Sequence, residues 1–459
     1  MTALLLAGTF LITFDFFAIS VALPSIRAAL QASPSELQWC VAVFGLMFGA
    51  TLVAGARLGE RLGPLRGFRA GMALFGLAAL GCAAAQAPWQ LIAARALQGL
   101  GAALLSPQVL ALIGRLPDAP ARERAFAGYG AALGLGSGLG QLVGGALIAL
   151  NPARLGWRAE FLLSAGFAAT VAWRLRRHRG PDGLPRRIDL ASVLLLAGSV
   201  VALMLPLIEG RRLHWPAWLL LPALLGVLGL ALFGRRQQAL AASGQAPLVA
   251  LAVFEPRFVG ALGTVLAFYA SVASFMLIFS LTLQSLYQLP PHWAGVVFSA
   301  MVAGFLATNF GARPLAARWR GDLLAAGALV LASGHGLLAL ALATQKPLGL
   351  LLAPMVLTGL GMGLVMGPLI ARAVAAAPAG QLSLAAGLVG SVQWFGNALG
   401  VAAVGTLYFT LTATHGEPAA ADLARAGAAS HALFAALALA VAWLLPRWAP
   451  APRPLATAA

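Results

Sequence analysis

The chain has 459 residues, 61% of them hydrophobic and 9% charged, against the roughly 25% charged usual in soluble domains. No soluble core hides that much apolar surface, so most of these side chains must face lipid or one another. The formal net charge of +17 does not mark a nucleic-acid binder, because the basic residues lie in short clusters between apolar runs, not on one polar surface.

Fourteen apolar runs approach the about 20 residues that a helix needs to cross a bilayer. The first, 3–23, lacks a basic leader and a convincing cleavage site, so it reads as a span; it carries Asp15. Runs 36–57 and 68–86 follow, joined by a loop with Glu60, Arg61 and Gly63. They contain Cys40 and Cys82, whose apolar surroundings suit buried thiols and not a disulfide or metal knuckle. Run 88–113 holds Arg95 and, one turn on, Gln98. In 125–150, Gly136, Gly140 and Gly144 recur every fourth residue, with Gly145 beside them, a smooth stripe for close helix approach. After 157–175 comes a loop from Arg174 to Arg187, punctuated by Gly180, Pro181, Gly183 and Pro185. Runs 188–208 and 216–234 end at a second such stretch, Arg235 to Pro256. The remaining runs are 257–286 with Gln284, 292–313, 322–343 with His335, 347–372, 382–412 with Gln393 and Asn397, and 429–446. The expected plan is therefore 6 + 2 + 6: an N-terminal six-helix bundle in 1–180, two extra helices in 181–245, and a C-terminal six-helix bundle in 246–459.

Arginine placement gives an independent check on count and orientation. With a cytoplasmic N-terminus, 22 arginines fall inside, 7 basic residues fall outside, and Arg95 alone lies in a span. The inside clusters include Arg57, Arg61, Arg66 and Arg69; Arg115, Arg122 and Arg124; Arg174, Arg176, Arg177, Arg179, Arg186 and Arg187; and Arg313, Arg318 and Arg320. This is the skew of the positive-inside rule, and it predicts that both termini are cytoplasmic. The 174–187 loop is expected inside, and Glu417 to Arg425 outside.

Asp15 is the one acid that this reading sets well inside a span, where an ionisable group is a functional hypothesis by default. It lies eight residues from Leu23, roughly 12 Å at 1.5 Å per residue, and Arg95 lies at a similar depth below Pro88. The two charges can meet, either as a site that loads and releases a proton or as a fixed structural pair. Gln98 extends that network or makes a plain interhelical hydrogen bond. Gln284, Gln393 and Asn397 are the polar candidates for a substrate cavity in the second half. His335, read as the sole histidine deep in a span, is a possible second titrating group or a satisfied structural side chain. No P-loop, nucleophile, metal cluster or cofactor motif appears, so the expected energy source is a gradient, and no cofactor or enzyme activity is expected.

Four local motifs carry a family resemblance. Leu91 to Ala103, with Arg95, Gln98, Gly99 and Gly101, resembles the helix-4 motif of the major facilitator superfamily. Asp15 to Pro24 resembles the helix-1 signature of its fourteen-helix drug:proton antiporters, with Phe17 and Ser20 where threonine and asparagine are usual. Leu58 to Gly63 is similar to the loop motif between helices 2 and 3, with Glu60 for the usual aspartate, and a weaker echo runs from Gly311 to Asp322. Gly136 to Gly145 resembles the antiporter motif of helix 5, with Gln141 replacing its proline. Weaker family-like stretches, Ile188 to Leu190, Leu207 to Gly210 and Pro247 to Leu248, sit around the two extra helices.

The resemblance implies two pseudo-symmetric bundles around a cavity that opens alternately to each side of a bacterial inner membrane. It implies proton-coupled efflux of small amphipathic or hydrophobic compounds, with protons, substrate and lipid as partners, no nucleic acid, and a monomer as sufficient unit. It also implies conformational roles for Glu60, Arg61, Gly63 and the helix-5 stripe. The missing proline keeps a nutrient importer open, and a transport-inactive sensor is the alternative from another class.

Overall fold

The computed structural model describes residues 1–178, 180, 182–183, 189–318, 321–378, 380–412 and 419–449, with side chains excepted at 309–310, 312–318 and 383. Arg179, Pro181, Pro185, Arg186, Arg187, Ile188, Arg320 and Glu417 lie outside the described residues, as do the side chains of Arg313 and Arg318. Fourteen α-helices are present among the described residues. The first six are α1 (Thr2–Leu30), α2 (Pro34–Leu62), α3 (Pro64–Ala84), α4 (Pro88–Gly114), α5 (Ala119–Leu150) and α6 (Arg158–Arg174). A pair follows, α7 (Leu190–Glu209) and α8 (Leu220–Ala242). The last six are α9 (Pro256–Ser285), α10 (Pro291–Arg318), α11 (Leu323–Ala343), α12 (Leu352–Ala375), α13 (Leu382–Leu411) and α14 (Ala420–Trp448). Thirteen helices are long and apolar enough to cross a membrane, and α6, with 17 residues, is the shortest of the set. The chain is a multi-pass membrane protein.

Local chemistry explains why so few residues separate so many helices. Proline opens α2, α3, α4 and α9, where a missing N–H costs nothing. Ser33 and Glu36 form a capping box at the start of α2, and Gln31 and Asn151 stop α1 and α5 in the left-handed conformation. Helices also outrun their apolar stretches. Helix α1 continues through Pro24 to Leu30, and α14 begins at Ala420, nine residues before the apolar run that starts at 429. Once packing satisfies one face, polar residues extend the helix beyond the hydrocarbon.

The same packing scheme occurs twice. In the first half α1 packs on α5, α2 and α3 on α4, and α3 on α6; in the second α9 packs on α13, α10 and α11 on α12, and α11 on α14. Every helix has its counterpart eight places later. Between the halves, α2 packs on α13 and α5 on α10, which are again counterparts. The α7–α8 hairpin leans on α2 and α13 from outside and otherwise faces away from the bundles.

The hairpin is fastened at both ends. Arg236 donates to both carboxylate oxygens of Asp189, at 2.9 and 2.8 Å. That bond, helped by Ser192, holds the Asp189 carboxyl down at about 2. At the opposite end of α7, Ser35 and Trp39 of α2 donate to the Ile208 carbonyl and the Glu209 carboxylate, and Thr406 of α13 donates to the Leu207 carbonyl.

Candidate functional site

Asp15 and Arg95 are both fully buried, on facing sides of α1 and α4. Arg95 Nη1 donates to Asp15 Oδ2, and Gln98 Nε2 donates to Asp15 Oδ1 at 2.9 Å. The Gln98 side-chain oxygen accepts from Arg95 Nη1 at 2.9 Å and from the Cys82 thiol of α3 at 3.3 Å. Arg95 Nε donates to the Cys40 carbonyl of α2 at 3.2 Å. Four helices thus converge on one ion pair. Removing one partner of a buried pair costs about 3–5 kcal/mol, because the other charge is left uncompensated.

The pair is wired to the other half by aromatic rings. The Arg95 guanidinium lies 4.5 Å over the Phe44 ring. Phe44, Phe16 and Phe48 surround Trp394 of α13, at centroid distances of 5.6, 4.9 and 4.4 Å. A change in the arginine's position therefore meets the α2–α13 contact directly. Trp394 was not singled out from sequence, since a lone tryptophan in an apolar run looks like packing.

A second acid lies at this site. Glu160 of α6 is 1% exposed and within electrostatic reach of Asp15 and Arg95. Neither of its oxygens accepts a hydrogen bond of ordinary geometry, although the Ser164 hydroxyl one turn on is close enough to interact. Sequence reading left it at the membrane margin, three residues into run 157–175 and beside Arg158. The structure corrects this: Glu160 is buried, as is Trp157 just before α6, and the Arg158 side chain at the helix start donates to the Ala85 carbonyl at 2.8 Å.

The helix-5 glycines let α1 approach. A Cβ at Gly140 would lie 2.5 Å from the Phe14 carbonyl oxygen, Gly136 faces Thr13 and the Phe10 carbonyl, and Gly144 faces Ala18. Gly145 turns toward the second half, where a Cβ would lie 2.7 Å from the Pro291 carbonyl oxygen of α10. Gln141 is buried, with its amide nitrogen 3.6 Å from the Met276 sulfur of α9 and its oxygen unpartnered. Gly63 joins α2 to α3 at φ +89, a conformation that favours glycine. Glu60 and Arg61 lie exposed at this end of α2. In the echo of that loop, Asp322 caps α11 and accepts from Arg372 of α12 at 2.6 Å.

The other polar candidates scatter. Gln284 reaches from α9 to the Val21 carbonyl of α1, at 3.2 Å, and to Ser280. Gln393 is half-buried beside Trp394, and the Asn397 side-chain oxygen is buried without a partner. His335 is not the sole deep histidine: its Nδ1 lies 3.3 Å from Nδ1 of His431, which is also fully buried. His431 sits near the start of run 429–446, so sequence reading left it at the edge.

Comparison with known proteins places this geometry. Residues 5–254 match the profile of the Major Facilitator Superfamily. The chain is 32% identical over 408 residues to the probable actinorhodin transporter of Streptomyces coelicolor, covering 86% of this chain and 70% of that protein. It is 34% identical over 455 residues to the puromycin resistance protein pur8 of Streptomyces alboniger, covering 96% and 88%. It is 33% identical to the cephamycin export protein CmcT of Amycolatopsis lactamdurans, covering 91% and 86%. Among solved structures, a D-xylose-proton symporter superposes with a TM-score of 0.69 at 17% identity over 98% of this chain and 97% of that one, a likeness of fold alone.

Proposed function

This chain belongs to the major facilitator superfamily, and from that premise we propose that it exports small amphipathic or hydrophobic compounds across a bacterial inner membrane, driven by protons. The observation that carries the proton part is the buried Asp15–Arg95–Gln98 network, an ion pair whose two side chains are both fully inaccessible. The efflux part is supported by the relatives, which are named for transport of, or resistance to, antibiotics.

In this reading the units 1–180 and 246–459 rock against each other around a central path, with both termini cytoplasmic. The halves touch from Gly134 against Phe305 to Gly145 against Pro291, toward the arginine-poor end of the bundle. In this reading the α5–α10 contact seals the outer side, while α2 meets α13 from Gln38–Gly405 to Val53–Gly387, toward the other end. Protonating Asp15 removes the negative half of the ion pair and makes one of its oxygens a donor, so Arg95 loses its counter-charge and the Phe44–Trp394 contact is free to rearrange. Each state of the proton then favours a different arrangement of the halves, which is what coupling requires.

Everted and right-side-out vesicles, given an imposed proton gradient and the probes ethidium and puromycin, test this. Accumulation in everted vesicles alone is expected. Accumulation in right-side-out vesicles alone would establish an importer, and binding with no movement in either would establish a sensor. Orientation is checked separately by Arg176→Cys in intact cells, which an impermeant maleimide should leave unlabelled.

A further inference from the structure

Glu160 has no role in the pairing just described, yet it is the buried carboxyl nearest to it. An ionised carboxylate without donors is too costly to hold in apolar surroundings, so such a group remains neutral or finds a cation. The cation at hand is Arg95, and its Nη1 and Nε are already engaged by Asp15, Gln98 and the Cys40 carbonyl. Its Nη2 has no partner. The groups within reach of Glu160 are Asp15 from α1, the Cys82 thiol from α3 and Arg95 from α4, with Ser164 on its own helix; the titratable side chains of α5, Arg122, Glu123, Arg124 and Tyr129, all lie in the half of that helix away from the start of α6. Two acids therefore share one arginine. With one proton between them the cluster is neutral, and with none it carries an unbalanced negative charge inside the bundle. A purely structural acid would need donors to hold it, and neither Glu160 oxygen accepts a hydrogen bond of ordinary geometry.

We propose that Glu160 is a second proton-binding carboxyl, which holds a proton in this conformation and passes it to Asp15 while Arg95 turns from one acid to the other. The step breaks the O–H bond of Glu160 and forms one on an Asp15 oxygen. Glu160 is left as a carboxylate for the turned Arg95, whose Nη2 has no partner in this arrangement, and the net charge of the cluster stays at zero throughout. No uncompensated charge is created in the dry bundle, which keeps the transfer inexpensive. Glu160 lies two residues inside the start of α6, behind Trp157 and Arg158, so it is the member of the cluster nearest the arginine-poor surface and the one placed to be refilled from there.

The inference rests on Asp15 as coupling site, and its test reads Glu160 independently. Infrared spectra of the purified full chain in lipid report the carbonyl stretch of a protonated carboxylic acid. That band should disappear in Glu160→Gln, and also in Asp15→Asn, where Arg95 is left free to pair with an ionised Glu160; identical wild-type and Glu160→Gln spectra would overturn the proposal. In everted vesicles with ethidium, Glu160→Gln should slow proton-driven accumulation by about tenfold or more, and Glu160→Asp should recover most of the rate. Wild-type rates for Glu160→Gln at every external pH would overturn it as well. Wild-type accumulation by Asp15→Asn would strike at the coupling role of Asp15, and the infrared comparison would still decide for or against a proton on Glu160.

Discussion

The α3–α6 and α11–α14 interfaces are counterparts in the repeated packing scheme, and their polar contents differ in kind. At the first, Cys82 bonds Gln98 and Glu160 faces the Asp15–Arg95 pair. At the second, His335 and His431 face each other at 3.3 Å inside a box of Phe275, Phe279 and Phe434, at centroid distances of 5.1 to 5.7 Å. One Nδ1 of that pair must accept the hydrogen that the other donates, so at least one ring is uncharged. Both interfaces bury titratable groups. Of the two, the first alone has an arginine to offset buried charge, and on our proposal that makes it a proton site and the second packing on an otherwise repeated scaffold.

The comparison breaks most sharply at Arg95. Arg95→Ala strands Asp15 in the bundle, and we expect a loss of about 3–5 kcal/mol in stability together with loss of transport. Recovery of folded protein and the thermal unfolding midpoint measure the first effect, and ethidium accumulation measures the second. Normal yield with normal transport would mean that the pair is ornamental. Asp15→Asn should be gentler on the fold, since asparagine keeps the shape and most hydrogen bonds. It should abolish accumulation against a gradient while leaving energy-independent exchange intact.

The packing counterparts should respond alike where the chemical ones do not. Gly140 meets the Phe14 carbonyl across α1–α5, and Gly400 meets the Ala270 carbonyl across the equivalent α9–α13 contact, more closely still. Alanine at either position should cost roughly 1–3 kcal/mol by overpacking, with Gly400→Ala the worse. Equal unfolding midpoints for wild type and both variants would refute the close approach.

His335→Phe leaves His431 without its partner and should cost roughly 1–2 kcal/mol, yet the pH profile of transport should not move. A shifted profile would return the histidine pair to the coupling machinery. The smallest effect is expected at the α7–α8 hairpin. The folded Asp189 carboxyl sits at about 2, below its ordinary 3.8, so the contribution of its pair with Arg236 is full above that ordinary value and is lost as pH falls through about 2. Asp189→Asn should therefore change hairpin protease sensitivity slightly at neutral pH and not at all in strong acid.

Much of this was legible in the order of residues alone. Apolar runs count spans because each must cross a film of set thickness, and constant rise per residue brings Asp15 and Arg95 to one depth. The glycine stripe announced a close helix contact, though not that α1 would fill it or that Gly145 would serve the other half. Glu160 and His431 were missed for one reason: both lie near the edge of an apolar run. An average over some twenty residues cannot say whether an edge residue meets water or a neighbouring helix. That depends on where α3 stops, on Trp157 folding over the end of α6, and on how far α14 extends before its apolar stretch begins. The Phe44–Trp394 contact and the reach of Gln284 to Val21 likewise exist only once α2 meets α13 and α1 meets α9. Composition and periodicity determine which residues enter the membrane, whereas the partners that decide whether a buried polar group is a site come from helices far away in sequence, and only the tertiary structure brings them together.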